Sequence, residues 1–176
     1  MNNSDALKLI FVGNVGAGKT TCINNLSEAP VVGTEAKASE KPSTTVAMEY
    51  GSTRLNDTKL HIYGTPGQRR FNFMANLLCK GAAGMIVMIN NRHATPLAEL
   101  DYFLQFHNDF LTKNPAIVAI THYDDSNTNT SLTDYHQHVR GQGFGCPVTH
   151  LDAREKKDVL RVVNQLVLTI LQSNAD

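Results

Sequence analysis

Short apolar runs alternate along the chain with longer stretches in which apolar residues recur every three to four positions. Leu7–Val12 is a compact apolar run, interrupted by Lys8 and closed by Gly13, and reads as a strand. Residues 45–50 and 59–63 read as two further strands, with Asn56-Asp57 as the turn between them. Residues 85–89 and 116–120 are unbroken apolar runs, the pattern of strands buried on both faces. Residues 146–151 form a weaker strand candidate. Helices are expected over Lys19–Leu26, 96–111 and 131–139. Thr95 is the expected N-cap of the second, with Pro96 at its first position. Ser131 with Asp134 three residues on resembles a capping box for the third. A last helix carries Leu160, Val163, Val167, Ile170 and Leu171 as its core-facing stripe. Strand and helix alternate, which predicts an α/β fold: a mostly parallel central sheet of about six strands with helices on both faces. Residues 29–43 and 124–130 take no regular assignment, and long loops in a compact domain are often functional.

The length of 176 residues suits one domain spanning 1–176. Sixteen Lys+Arg balance sixteen Asp+Glu, so no protein-wide basic field exists for nucleic acid or an anionic membrane. Any phosphate binding must come from a local device. Cys22, Cys79 and Cys146 have no CxxC spacing, which disfavours a disulfide framework or a zinc site and suits a reducing, cytoplasmic setting. No run of 18 apolar residues predicts a membrane span, and neither end carries a signal peptide or lipidation box. Direct membrane insertion is therefore not expected, and recruitment would fall to a partner. The seven histidines show no H-E-x-x-H pattern, and His136 and His138 would not share a helix face as metal ligands.

The local device is Gly13-Asn14-Val15-Gly16-Ala17-Gly18-Lys19-Thr20, which fits G-x-x-x-x-G-K-[ST] without mismatch. Glycines let successive backbone N–H groups turn inward as an anion nest. The helix that follows adds roughly half a positive charge at its N-terminus. Lys19 supplies a full charge to phosphate oxygens, and the Thr20 hydroxyl can ligate Mg²⁺. Thr21 extends the loop's binding edge. Cys22 reads either as a thiol activated by the helix end or as a small packing residue.

Downstream, Gly64-Thr65-Pro66-Gly67-Gln68 follows a strand and resembles the D-x-x-G-Q element of Ras-like small GTPases. Thr44-Thr45-Val46-Ala47-Met48 lies where their first switch threonine falls, Thr121-His122-Tyr123-Asp124 matches the end of N-K-x-D, and Asp152-Ala153-Arg154 sits where they carry S-A-K. The combination is similar to the bacterial small GTPases of the MglA and conservon-encoded types. The resemblance covers nearly the whole chain. It implies a P-loop over 13–20, switch I over about 29–45, switch II over about 64–77, and base-binding segments at 121–124 and 152–154.

Residue by residue, the resemblance implies that Thr45, with Thr44 as alternative, senses γ-phosphate and Mg²⁺. It implies that the Gly67 amide meets γ-phosphate, that Gln68 orients the attacking water, that Asp124 pairs with two donors of guanine, and that the Ala153 amide meets the base. GTP and GDP are the implied ligands and Mg²⁺ the cofactor, with catalysis by Gln68 and Lys19. Gly64 stands where many P-loop proteins carry a metal-supporting Asp, so Mg²⁺ would rely on Thr20, Thr45, phosphates and water. MglA-type proteins share that loss. Val15 puts a side chain where Ras has glycine, and Thr121 and His122 replace Asn and Lys, which softens base specificity. Arg69 or Arg70 reads either as an internal arginine finger or as a solvated, partner-facing cation. Phe71, Phe73 and Met74 read either as core or as an exposed effector patch.

The leading expectation is a slow GTPase switch, monomeric or in a partner-dependent complex. The expected partners are a GAP-like regulator, of which a Roadblock/LC7-domain protein is the family example, and an effector at the switch regions. An ATP-using enzyme and a non-hydrolysing nucleotide-bound scaffold are the alternatives.

Overall fold

The computed structural model describes residues 6–34, 48–68, 72–124 and 130–173. In chain order the elements are β1 (Leu7–Val12), α1 (Lys19–Leu26), β2 (Val32–Thr34), β3 (Met48–Leu55), β4 (Thr58–Gly64), α2 (Asn72–Cys79), β5 (Gly84–Asn90), α3 (Pro96–Phe106), α4 (Asn108–Leu111), β6 (Ala116–Thr121), α5 (Leu132–Gly141), β7 (Val148–His150) and α6 (Lys156–Ser173). The strands form one seven-stranded sheet in the order β2-β3-β4-β1-β5-β6-β7. Neighbours from β4 to β7 run parallel, while β2–β3 and β3–β4 pair antiparallel at one edge. The expected α/β architecture holds, with one strand more than the expected six.

β1 alternates its burial between the two faces. Leu9 and Phe11 join the core beneath α1 and α6, while Ile10 and Val12 join the core with α3 and α5. β5 and β6 are buried almost end to end, as their unbroken apolar runs require. The parallel strands β4, β1, β5, β6 and β7 therefore end on the same edge. The loops after all five gather there, and β1 sits where strand order turns back, the position at which open α/β sheets bind ligands.

Several local expectations need correcting. The extra strand β2 lies in the unassigned stretch 29–43; three residues carry no readable alternation, and pairing with β3 supplies what propensity does not. β3 runs on to Leu55 rather than stopping at Tyr50, because its register with β4 continues to Leu55↔Thr58 around the turn, where Asn56 takes φ 53. Residues 45–47 lie outside the described residues. α2 was unforeseen, since Phe73, Met74 and Leu77 add apolar residues outside its core-facing stripe of Ala75, Leu78 and Cys79. Ala75 is buried, but Phe73 and Leu77 are 61% and 58% exposed, and Met74 is half-buried. Thr95 occupies the N-cap of α3 without a side-chain cap bond, whereas Ser131 and Asp134 form the complete capping box. On α6 the buried stripe is Val159, Val162, Val163, Leu166, Val167 and Ile170; Leu171 is exposed, because the true stripe is centred one residue earlier on the helix.

The expected single helix over 96–111 divides at His107 into α3 and α4. Hydrogen bonding continues across the bend, from His107 N–H to Phe103 O at 3.0 Å and from Leu111 N–H to His107 O at 2.9 Å. The bend turns the imidazole inward, its plane nearly parallel to the Phe103 ring and its Nδ1 3.8 Å from Cys79 Sγ. Burial lowers the His107 pKa from 6.5 to about 4. Its neutral form is therefore the folded form. Stability from this group is complete above about pH 6.5 and falls as pH drops toward 4, because the unfolded chain takes up a proton that the folded one refuses. Urea unfolding is expected to lose up to about 3 kcal/mol over that interval. His107→Gln should flatten the loss, and parallel curves for both proteins would contradict this origin.

Candidate functional site

The loop after β1 is built so that its carbonyls are taken by side chains. Lys19 Nζ donates to Gly13 O at 2.6 Å and to Asn14 O at 2.9 Å. Gly16 O accepts from Asn90 Nδ2 and lies at hydrogen-bond distance from His122 Nε2, both at 3.3 Å. Thr121 Oγ1 lies 2.9 Å from Ala17 O and 3.3 Å from Ile89 O. Gly18, at φ 94, turns the chain into α1. With these four carbonyls held, and the Ala17 N–H turned to Asn14 O at 3.2 Å, other backbone N–H groups of the loop are left for a bound anion.

Two adjoining cavities open on this loop. The first, of about 390 Å³, brings Val15, Gly16, Lys19 and Thr20 together with Thr65, Gly67 and Gln68 from the end of β4. The second, of about 360 Å³, is lined by Thr121, His122 and Arg92 and by the turn His150–Arg154. Gly18, Thr21 and His122 line both. Each volume is that of a small-molecule subsite.

Lys19 is 8% exposed, and burial lowers its pKa to about 8, partly opposed by the carboxylates of Glu49 and Glu99. It stays charged at neutral pH and keeps one of its three donors for a phosphate. Gly67 packs on the loop so closely that a Cβ there would sit 2.5 Å from the Val15 nitrogen. Thr65 anchors the same segment through its N–H to Phe11 O at 3.0 Å. Val15 is 70% exposed at the cavity mouth. Thr44, Thr45, Arg69, Arg70 and Phe71 lie outside the described residues.

In the second cavity Asp152 and Arg154 engage each other. Arg154 donates to both carboxylate oxygens, at 3.0 and 2.7 Å, and holds the Asp152 pKa down to about 2. Ala153 is buried, and its carbonyl accepts from Asn25 Nδ2 at 2.7 Å. Asp124 is exposed and lines neither cavity. Cys22 is fully buried under the loop and its thiol is pushed up to about 12, mainly by burial, which makes it a packing residue.

The sequence matches the family described as Roc, "Ras of Complex, Roc, domain of DAPkinase", over residues 8–124. The chain belongs to this Ras-like GTPase family. It is 38% identical over 86 residues to an uncharacterized protein of Methanocaldococcus jannaschii, covering 49% of this chain and 52% of that protein. It is 25% identical over 130 residues to Ras-related protein Rab-4A of Bos taurus, covering 72% and 56%. It is 24% identical over 131 residues to Ras-related protein Rab-18 of Lymnaea stagnalis, covering 72% and 61%. The chain thus spans little more than half the length of these relatives.

Against this Ras-like frame, Glu49 on β3 was not foreseen. It pairs in register with Gly64 and therefore shares its face of the sheet. A Cβ at residue 64 would meet Ile23 Cδ1 at 2.8 Å and Glu49 Oε2 at 3.0 Å, so the Glu49 carboxylate fills the space that a side chain at 64 would enter. Thr20 Oγ1 donates to Glu49 Oε1. Hydroxyl and carboxylate together offer hard oxygen donors with one negative charge, the donor chemistry that suits Mg²⁺. Register with the G-T-P-G-Q strand is the signal that could have found Glu49. Arg92 and His150, also unforeseen, enter only because the loops after β5 and β7 end on the same sheet edge. Among the described residues no group of three or more His, Cys, Asp or Glu could hold a metal, and no helix is long and apolar enough to cross a membrane.

Proposed function

We propose that the chain is a GTP-binding switch with slow GTP hydrolysis. The observation that carries this reading is the single cavity that holds the P-loop, Lys19 and Thr20 against Gly67 and Gln68. The β- and γ-phosphates would lie on the amides of Gly13–Thr20 with Lys19 as counter-charge, numbered 13–20 along the loop. Mg²⁺ would be held by Thr20 and Thr45 with Glu49 as the supporting carboxylate, and supplies charge stabilisation when bound. A supporting carboxylate at Glu49 would answer one motive for a non-hydrolysing scaffold, the bare Gly64; the other is the Val15 side chain at the cavity mouth. Gln68, exposed at the cavity edge, would place water in line with the γ-phosphate.

Asp124 would select guanine, because a carboxylate accepts from two adjacent donors on that base and repels the adenine acceptor. Its spacing after Thr121 supports the role, although loading would have to bring it to the base. Nucleotide state would be read by partners at the two switch segments, and Phe73 and Leu77 on α2 supply an apolar face for an effector. The T-T-V-A-M, G-T-P-G-Q and T-H-x-D motifs support a bacterial, MglA-like setting in signalling, polarity or motility, with a regulator of the Roadblock/LC7 kind.

Single-turnover phosphate release from the GTP-loaded chain tests hydrolysis. Gln68→Ala is expected to slow release about a hundredfold, the low end for a positioned group that handles a proton or water. Equal release by wild type and variant would contradict catalysis by Gln68. Glu49→Gln is expected to raise the Mg²⁺ concentration at which bound nucleotide is retained by about tenfold, measured by release of fluorescent GDP against free Mg²⁺. An unchanged Mg²⁺ requirement would contradict the role of Glu49.

A further inference from the structure

Hydrogen-bond donors dominate the second cavity. Arg92, His122, His150 and Arg154 line it, and Asp152 is the one carboxylate among its described lining residues. Arg154 closes on both oxygens of that carboxylate, so these two groups are spent on each other. The wall beside the phosphate loop is apolar. A Cβ at Gly18 would lie 3.0 Å from Ala153 Cβ and 3.9 Å from Thr121 Cγ2, so two methyl groups face that glycine. The Thr121 hydroxyl has one proton and turns it to the carbonyls of Ala17 and Ile89, 2.9 and 3.3 Å away. The Thr121 side chain therefore keeps no donor for the edge of a base.

Arg92 is placed to supply that donor. It is exposed, and among the described residues its guanidinium makes no ion pair. Its backbone is held from three sides. Asn91 N–H donates to Thr121 O at 2.9 Å, Tyr135 OH donates to Asn91 Oδ1 at 2.6 Å, and Arg92 N–H donates to Asn90 Oδ1 at 2.9 Å. Asn90 in turn donates to Gly16 O. The loop after β5 is thus tied to β6, to α5 and to the phosphate loop, and Arg92 lines the cavity from a fixed base.

We propose that Arg92 is a specificity-determining residue for the base, its guanidinium fork donating to O6 and N7 of guanine. This deepens the guanine-nucleotide reading and rests on it. Guanine presents two adjacent acceptors on that edge, whereas adenine presents an N6 amino donor beside N7. A guanidinium has donors only and keeps its charge, so it fits the guanine edge and opposes the adenine amino group. The carboxylate of Asp124 would read the opposite edge, N1 and N2, and it lines neither cavity. The two contacts use different atoms of the base and can be tested apart.

The test is competition of unlabelled nucleoside diphosphates with ribose-labelled fluorescent GDP on the full chain in Mg²⁺. 7-Deaza-GDP replaces N7 by C–H and leaves N1 and N2 intact. Wild type is expected to bind it about tenfold more weakly than GDP, within the discrimination given by a bidentate Arg–guanine pair. Arg92→Ala should bind GDP and 7-deaza-GDP alike and lose part of the preference for GDP over ADP. Equal binding of GDP and 7-deaza-GDP by wild type overturns the proposal, as does discrimination at N7 that survives in Arg92→Ala. A loss of the same size for GDP, 7-deaza-GDP and ADP in Arg92→Ala also overturns it, because that is attraction to the phosphates alone. Each of these results leaves the guanine reading standing while GDP still outcompetes ADP. A wild-type chain that binds ADP as tightly as GDP overturns the guanine reading itself and this proposal with it.

Discussion

A loop that presents its N–H groups to a ligand must first dispose of its carbonyls, because unpaired backbone oxygens near the core are costly. Here that disposal is done by four side chains from three places in the chain. Lys19 takes Gly13 O and Asn14 O, Asn90 and His122 converge on Gly16 O, and Thr121 reaches Ala17 O. The ends of β1, β5 and β6 must therefore lie side by side, and the parallel register of those strands puts them there. The sheet is in this sense the scaffold of one loop. Anything that shifts β5 against β6 reaches the loop through Asn90 and Thr121.

The same arrangement reconciles zero net charge with a polyanionic ligand. Loop amides, one helix end and the buried ammonium of Lys19 would provide the attraction. Burial alone would weaken Lys19 as a cation, and the carboxylates of Glu49 and Glu99 oppose that loss. Glu49 thus acts on both halves of the site. It sustains the charge on Lys19 and binds the Thr20 hydroxyl, from the strand that faces Gly64. The bare glycine at 64 and the acidic residue at 49 are complementary, since a side chain at 64 would displace the carboxylate.

Much of this was legible in the chain. Buried parallel strands announce themselves as unbroken apolar runs, and the glycine-rich loop followed by Lys19-Thr20 needs only the strand before it and the helix after it to be recognised. Elements shaped by tertiary pairing were not. β2 exists because β3 offers an edge, α2 has apolar residues around more than one side, and the 96–111 helix bends because one imidazole packs inward at His107. The hidden part of the site follows the same rule. Glu49 becomes a site residue only through cross-strand register, and Arg92 and His150 only because their loops share an edge. His122 was visible as a departure from Lys, but its grip on Gly16 depends on a left-handed turn that no local pattern announces.

A guanine nucleotide held in the two adjoining cavities should stay with the protein through purification. Purification of the full chain in Mg²⁺, followed by denaturation and identification of the released nucleotide by mass, tests it most directly. GDP or GTP is expected in near-stoichiometric amount. ADP or ATP instead would contradict it and make the chain an adenine-nucleotide enzyme on the same P-loop scaffold.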